Sequence, residues 1–521
     1  MCFSCEDMDK LNVDPDNPGT IDPDLLISNI QYTPGAEWQE INRYFIYPGG
    51  FMNQWTGPFA VVEYGGIGQK HANYHERMWT TYYQEGVKNT IDIINKFESD
   101  PNKVNIVSMA RILKVQNFLR LTDYYGDIPY SQAGLGYYEG ILKPKYDTQE
   151  SIYMNFFEEL KTAVSSFDAA QPTSRNDLFY SGDIEKWKRY ANSLRLRIAM
   201  RLIKVAPEVA KREAEDAIRS GVFQSNDDVC YVKYENVENP VSGKGRGNGV
   251  SYYLYGNAAN GSQMWLTTEL VSELEKNEDP RLLLIGGAYL RDVNRTDITA
   301  LIRERRSSYA AMTIQAQKYS YEANSLFPTE NGALTITVGG TNHSIPVAYT
   351  KLRASKYVTA FDAPYIYIGY AETEFLKAEA AARGWDVGTG SAETHYANGI
   401  RAALTQWQLF GASITDQQIN NYLQQAGVTY NTAEAIKQIN TQLWILHVLD
   451  PLETWSNWRR SGYPELIFHN YAPSKNQSNG TFPRRMAYPL DEQIKNLENY
   501  NEAVSRQGGD DWTKRVWWDK E

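Results

Sequence analysis

The chain has 521 residues, with 52 Lys and Arg against 63 Asp and Glu, a formal net charge of −11. Hydrophobic residues make up 42% and charged residues 22%, a balance that supports a sizeable core and excludes a disordered chain. The acidic excess argues against nucleic acid as a partner, because binding phosphates needs a basic face, and no apolar run approaches a membrane-spanning length.

Residues 1–24 read as a linker. Cys2 and Cys5 stand at its start, and DPDNPGTIDPD, rich in Pro, Gly, Asn and Asp, comes after them. Asp14, Asp16 and Gly19 fall on positions one, three and six of a calcium loop, but Pro18 and Leu25 occupy two positions that would need ligands. Cys230, the third cysteine, reads as a small buried residue, and three cysteines cannot build a disulfide framework. Residues 25–521 read as a single domain with loop insertions.

Helices dominate this domain. In VSMARILKVQNFLRLTDYYGDIPY, Ile112, Val115, Leu119 and Thr122 share a helical face that ends at Gly126 and Pro129. Asp147 and Glu150 have the spacing of a capping box before a stripe of Ile152, Phe156, Leu160 and Val164. A third helix turns Trp187, Ala191, Leu194, Ile198 and Leu202 inward, with Arg195 and Lys204 on its flanks, and Pro207 breaks it. EVAKREAEDAIRSGVF gives a short Ala-rich helix closed by Gly221.

The middle region, ENPVSGKGRGNGVSYYLYGNAANGSQMW, is Gly-rich and studded with Tyr, and reads as a long functional loop. ALTITVGGTNHSIPVAY alternates like a small hairpin. AETEFLKAEAAARGW from Ala371 and AETHYANGIRAALTQW from Ala392 echo each other across the Gly-rich turn GWDVGTGS. Ala378, Ala382, Ala397 and Ala402 would let these two helices pack closely, as a tetratricopeptide-type pair does. One more helix spans EAIKQINTQLWILHVLDPLETWSNWRRSGYP, before an irregular, aromatic-rich tail. The fold class is therefore all-α: a tetratricopeptide-like superhelix of helix pairs with long loops and a small β-hairpin.

Few constellations suit chemistry. His71 and His75 lie four apart, a zinc-compatible spacing, but the order is not HExxH and no third ligand is evident. GxSxG and GxxxxGK[ST] are both absent, and GKGRGNG lacks the context of a phosphate cradle. No cofactor is expected. What remains is a binding surface. The chain holds 37 Tyr, 13 Trp and 17 Phe, so Tyr outnumbers Phe in a way that core packing does not require. Sugar rings present an apolar face to an aromatic and hydroxyls to Asn, Gln or Asp. Three stretches carry candidates: Trp55, Phe59 and Tyr64; Tyr74, Trp79, Tyr82 and Tyr83; and Tyr252, Tyr253, Tyr255 and Trp265, with Asn257 and Asn260 for edge contacts. Helical spacing favours core packing for Trp79, Tyr82 and Tyr83.

Several stretches in order resemble the SusD/RagB-like family of outer-membrane nutrient-binding lipoproteins, in its SusD-like, starch-binding branch. They are DYYGDIPYSQA, YDTQESIY, WKRYANSLRLRIAMR, AETEFLKAEAAARG, LETWSNWRRSGYP and FPRRMAYPLDEQIKN. The resemblance implies a non-enzymatic, lipid-anchored protein on the cell surface that captures an oligosaccharide or polysaccharide and delivers it to a SusC-like TonB-dependent transporter. Trp455, Trp458, Arg459 and Arg460 are expected to tie the C-terminal region to the helical core. The start of the chain resembles the end of a lipoprotein signal, cut before Cys5 and acylated there. The charged and apolar regions of such a signal are not in the sequence, so they are expected upstream. Capture of peptides or another nutrient, a tetratricopeptide-type protein-binding scaffold, and an enzyme stand as alternatives.

Overall fold

The helix Val104–Tyr125 is the axis around which the chain is arranged, and nearly every side chain on it is buried. It stops where Gly126 adopts φ +87°, a conformation that side-chain-bearing residues rarely take, and Thr122 Oγ1 donates to the Gly126 carbonyl at 2.7 Å. This computed structural model describes residues 21–36, 45–57, 61–238, 246–255, 264–290, 296–304, 332–346, 350–469 and 473–521. Cys5, the calcium-like loop at Asp14, Phe59, Asn257 and Asn260 lie outside the described residues.

Helix Gln149–Ser166 packs on the axis through Ile152, Phe156 and Leu160, all buried, with Val164 half-buried at its end. The cap differs from the capping-box expectation by one residue. Thr148 accepts from Ser151 N, while the Asp147 carboxylate turns away to accept from Tyr130 N at 3.0 Å and Ser131 N at 2.8 Å. That use holds together the small antiparallel pair Ile128–Pro129 and Tyr146–Asp147. Helix Ile184–Arg201 buries Trp187, Ala191, Leu194 and Ile198 as its spacing predicts. Arg195, expected on a flank, is buried as well, because Glu213 on helix Pro207–Arg219 meets its guanidinium. Arg197 and Arg201 likewise reach inward, to Glu372 and Glu453.

The echoed segments form antiparallel helices, Tyr370–Ala382 and Ala392–Thr405. They pack tightly at Gly399, where a Cβ would lie 2.6 Å from the Phe375 ring. Ala378 and Ala402 are buried in the pair, whereas Ala382 is exposed and Ala397 only half-buried. Helix Ala435–Leu446 stacks on the pair and extends it. The segment expected to continue as one helix divides here: Pro451 cannot donate an amide, and Asp450 caps a new helix, Pro451–Ser461, by accepting from Glu453 N. The tail is less irregular than its composition suggests, because Leu490–Lys495 and Leu497–Arg506 are helical.

The expected tie between the C-terminal region and the core is present. Arg459 lies 3.6 Å from the Trp455 ring and 4.7 Å from the Trp518 ring, and donates to the Asp123 carbonyl at 2.7 Å. Arg460 makes a two-pronged bond to the fully buried Glu379, both arms 2.8 Å. Trp455 Nε1 donates to the Pro483 carbonyl and Trp458 Nε1 to that of Pro464. The predicted hairpin pairs Ala333–Val338 with Thr341–Pro346, and its Ile336 and Ile345 cover a small separate core with Leu290, Ile298 and Ile302. Short antiparallel strands Trp55–Thr56, Trp265–Leu266, Arg353–Ala354 and Gly286–Gly287 close the region between the loops and the helical body.

Candidate functional site

The segment before and around Tyr64 folds into two π-helical turns, Phe45–Gly49 and Val61–Gly65. Such turns recur at functional positions, where the extra residue re-aims a side chain. They touch only because residue 65 is glycine: a Cβ there would stand 1.5 Å from the Ile46 carbonyl oxygen. The chain then reverses at Gly68, φ +66°, and is braced from outside. Asn476 Nδ2 donates to the Ile67 carbonyl at 2.7 Å, Gln477 N to the Gly68 carbonyl at 2.9 Å, and Lys70 N to Gln477 Oε1 at 2.6 Å.

On this braced support three half-buried rings come together. Tyr64 lies 4.5 Å from His71 and 5.5 Å from Tyr74, centroid to centroid, and His71 lies 4.5 Å from Tyr74. Beneath them sits the buried Tyr47, whose hydroxyl donates to the Gln69 carbonyl at 3.2 Å. Tyr253 joins from helix Gly249–Tyr255, its ring 5.4 Å from Phe45. Burial pushes the Tyr253 phenol above its ordinary pKa, and the neighbouring Tyr74 phenol adds to the rise. So Tyr64 and Tyr74, from two of the three aromatic stretches, meet through His71, and Tyr253, from the third, stands nearby against Phe45.

The polar groups of the site are few. Gln69 Oε1 and His71 Nδ1 have no hydrogen-bond partner among the described residues. Lys70 Nζ stands 5.9 Å over the Trp512 ring. Of the two histidines at zinc-compatible spacing, His75 is buried with its Nδ1 2.9 Å from the His71 carbonyl, and among the described residues no third His, Cys, Asp or Glu joins them in a metal-binding group. Flat rings beside an amide and an imidazole can stack on a sugar face and bond its edge.

The other aromatic candidates take different places. Trp55 is 1% exposed, donates from Nε1 to the Val448 carbonyl at 2.6 Å, and packs behind Phe45 at 6.3 Å. Trp79 is enclosed by Tyr83, Tyr125, Tyr146 and Tyr488, as its helical spacing suggested. Trp265 is 1% exposed within the short-stranded sheet. These three indoles are core, because burying their large apolar area outweighs any gain from exposing it. Tyr252 and Tyr255 flank Phe361 at 6.5 and 5.7 Å, on a short helix rather than the expected loop. Asn248 caps that helix, accepting from Ser251 N at 3.1 Å. Sequence reasoning missed His71, Tyr47 and Phe45 as parts of the site. The signal was the aromatic–glycine alternation of FIYPGGF, which echoes that of VVEYGG.

No helix among the described residues is long and apolar enough to cross a membrane. No curated protein matches the sequence. Solved structures do match over almost the whole chain. A chitin-binding protein is 32% identical, with a TM-score of 0.78, over 96% of this chain and 100% of that one. A structure described as Bacteroidetes AC2a SusD-like is 30% identical, with a TM-score of 0.84, over 96% and 100%. A chitin-binding SusD homolog from Flavobacterium johnsoniae, 24% identical over 95% and 97%, shares the fold with a TM-score of 0.71. A family model described as SusD-like, starch-binding associating with outer membrane, covers residues 15–489. The chain belongs to this SusD-like family of starch-binding proteins that associate with the outer membrane.

Proposed function

We propose that this protein captures an oligosaccharide or polysaccharide at the cell surface, without chemistry, and passes it to a SusC-like TonB-dependent transporter. Acylation at Cys5 would anchor it to the outer membrane, with residues 1–24 as tether and residues 25–521 as one binding domain. The ligand would stack on Tyr64, His71 and Tyr74, with Tyr253 beside them, and Tyr252 and Tyr255 would extend the aromatic wall past Phe361. Trp55 would support these rings from the core through Phe45, while Trp79 and Trp265 would hold the body of the domain. Family membership favours a glycan, and two similar structures are of proteins described as chitin-binding.

The observation that carries this reading is the meeting of half-buried Tyr64, His71 and Tyr74 on a loop braced by Asn476 and Gln477. Calorimetry against chitin and starch oligosaccharides tests it. Removing one stacked ring, in Tyr64→Ala or Tyr74→Ala, should weaken binding about tenfold, or about 1.4 kcal/mol. Unchanged affinity in both variants would remove the site. Binding of neither glycan class by the parent protein would remove the reading itself.

A further inference from the structure

Beneath the Gly249–Tyr255 helix, against the Tyr365–Ile368 strand and helices Ala392–Thr405 and Ala435–Leu446, lies a cavity of about 70 Å³. Much of its wall is apolar, including Val250, Val358, Trp407 and Leu446. Of the polar side chains that also line it, four have an atom sealed from solvent with no hydrogen-bond partner among the described residues. These atoms are Ser251 Oγ, Arg281 Nη1, Gln406 Oε1 and His447 Nδ1. Ser251 and Arg281 are 1% exposed and His447 8%. Buried polar atoms are nearly always satisfied, so four unsatisfied ones on residues around one cavity point to an occupant.

The surrounding charges fix what kind. Arg281 is balanced by Asp279 at 2.6 Å, Glu372 by a two-pronged bond from Arg197, and Asp450 by Arg120 at 2.6 Å. An ion placed inside would meet no net counter-charge, so the occupant is neutral. It must also accept and donate. Arg281 Nη1 offers a proton and Gln406 Oε1 a lone pair. His447 Nε2 stands 3.0 Å from a Glu372 oxygen, and in the neutral imidazole that donates there Nδ1 is an acceptor. Hydroxyl groups do both. At roughly 10–15 Å³ for each water-sized unit, the cavity has room for about five.

We propose that this cavity is an internal site for hydroxyl groups, filled by ordered water or by one small polyol of about five or six non-hydrogen atoms, and that its occupant seats the helix carrying Tyr253. Ser251 and Tyr253 are two residues apart, about 200° around a helix. One face of the helix therefore rests on the cavity while the other reaches the aromatic cluster. The seating role rests on the glycan reading; the occupancy does not.

Crystals of the full chain grown without polyol test the occupancy. Connected water density within hydrogen-bond distance of Ser251 Oγ and His447 Nδ1 is expected, with no uptake of xenon. A cavity that is dry and takes up xenon overturns the proposal, since that is how an apolar void behaves. A parallel soak in 10 mM glycerol separates the two sources: glycerol replacing the water identifies a polyol site, and retained water identifies a hydration site. Ser251→Val then tests the seating. Glycan affinity should fall about threefold while the thermal midpoint holds, and an affinity equal to that of the parent protein overturns the seating role. Because hydration is read from density with no glycan present, failure of the occupancy is distinguishable from failure of the glycan reading.

Discussion

His75 lies directly under the aromatic cluster and should make stability depend on pH. Its side chain is 6% exposed and sits between the rings of Tyr47 and Trp512, at 6.5 and 6.2 Å. Burial pulls its pKa down from 6.5 to about 4; the bond to the His71 carbonyl opposes this and nearby Lys70 adds to it. Between those values the unfolded chain holds a proton that the folded chain does not. The contribution is therefore fully present above pH 6.5 and is lost as pH falls toward 4. The span from 6.5 to about 4 is worth on the order of 3 kcal/mol, at about 1.4 kcal/mol per pH unit. Urea unfolding from pH 4.5 to 7.5 measures it. His75→Phe keeps the ring and removes the proton, so its stability should vary less over this range, by about 2.5 kcal/mol at the acid end. Parallel curves for the two proteins, or an NMR titration of His75 near 6.5, would refute the reasoning.

The same geometry sets four further outcomes. Burial alone would raise the Glu379 pKa, yet the Arg460 guanidinium holds it down to about 2. Its stabilising charge should persist above pH 4.5 and fade only as pH falls toward 2, while Arg460→Met at neutral pH should cost about 3–5 kcal/mol by calorimetry. Adding Glu379→Met should recover most of that loss; no recovery would mean that the charge is not what matters. Gly65→Ala, whose Cβ would meet the Ile46 oxygen, should abolish glycan binding but leave the helical circular dichroism intact. Gly399→Ala should lower stability by about 1–3 kcal/mol by forcing the Phe375 ring away, and an unchanged melting temperature would count against the close approach. Trp79→Ala should cost about 3–5 kcal/mol of stability, with glycan affinity unchanged in the fraction that remains folded.

The helical stripes, the end at Gly126 and the hairpin were all legible, because each depends on residues within a few positions of one another, whereas the helix expected to run to Pro207 ends at Arg201 and Pro207 opens the next one. The inward Arg residues were not. Arg195 is buried only because Glu213 lies across from it on another helix, and Arg197 needs Glu372, 175 residues away. The same holds for the indoles: Trp55 resembles a loop aromatic until the Val448 carbonyl, 393 residues later, accepts its N–H. For Tyr64, Tyr74 and Tyr253, the Gly-rich and polar neighbours in the sequence suggest rings that stay partly wet, and all three are half-buried. The meeting of Tyr64 and Tyr74 depends on the Gly65 contact and the Asn476 brace, which local sequence does not reveal.

Residues around Trp518 close onto the helix Val104–Tyr125. Trp518 and Asp519 are fully buried, and Trp518 Nε1 donates to Asp123 Oδ1 at 3.0 Å across 395 residues of sequence. At a synthesis rate of about 5–20 residues per second, roughly 20–80 s separate the making of those two partners. Throughout that interval the axial helix lacks the indole that completes it. The nascent protein therefore stays open at its middle until Trp518 has been made, and its yield depends on what shields that surface in the meantime.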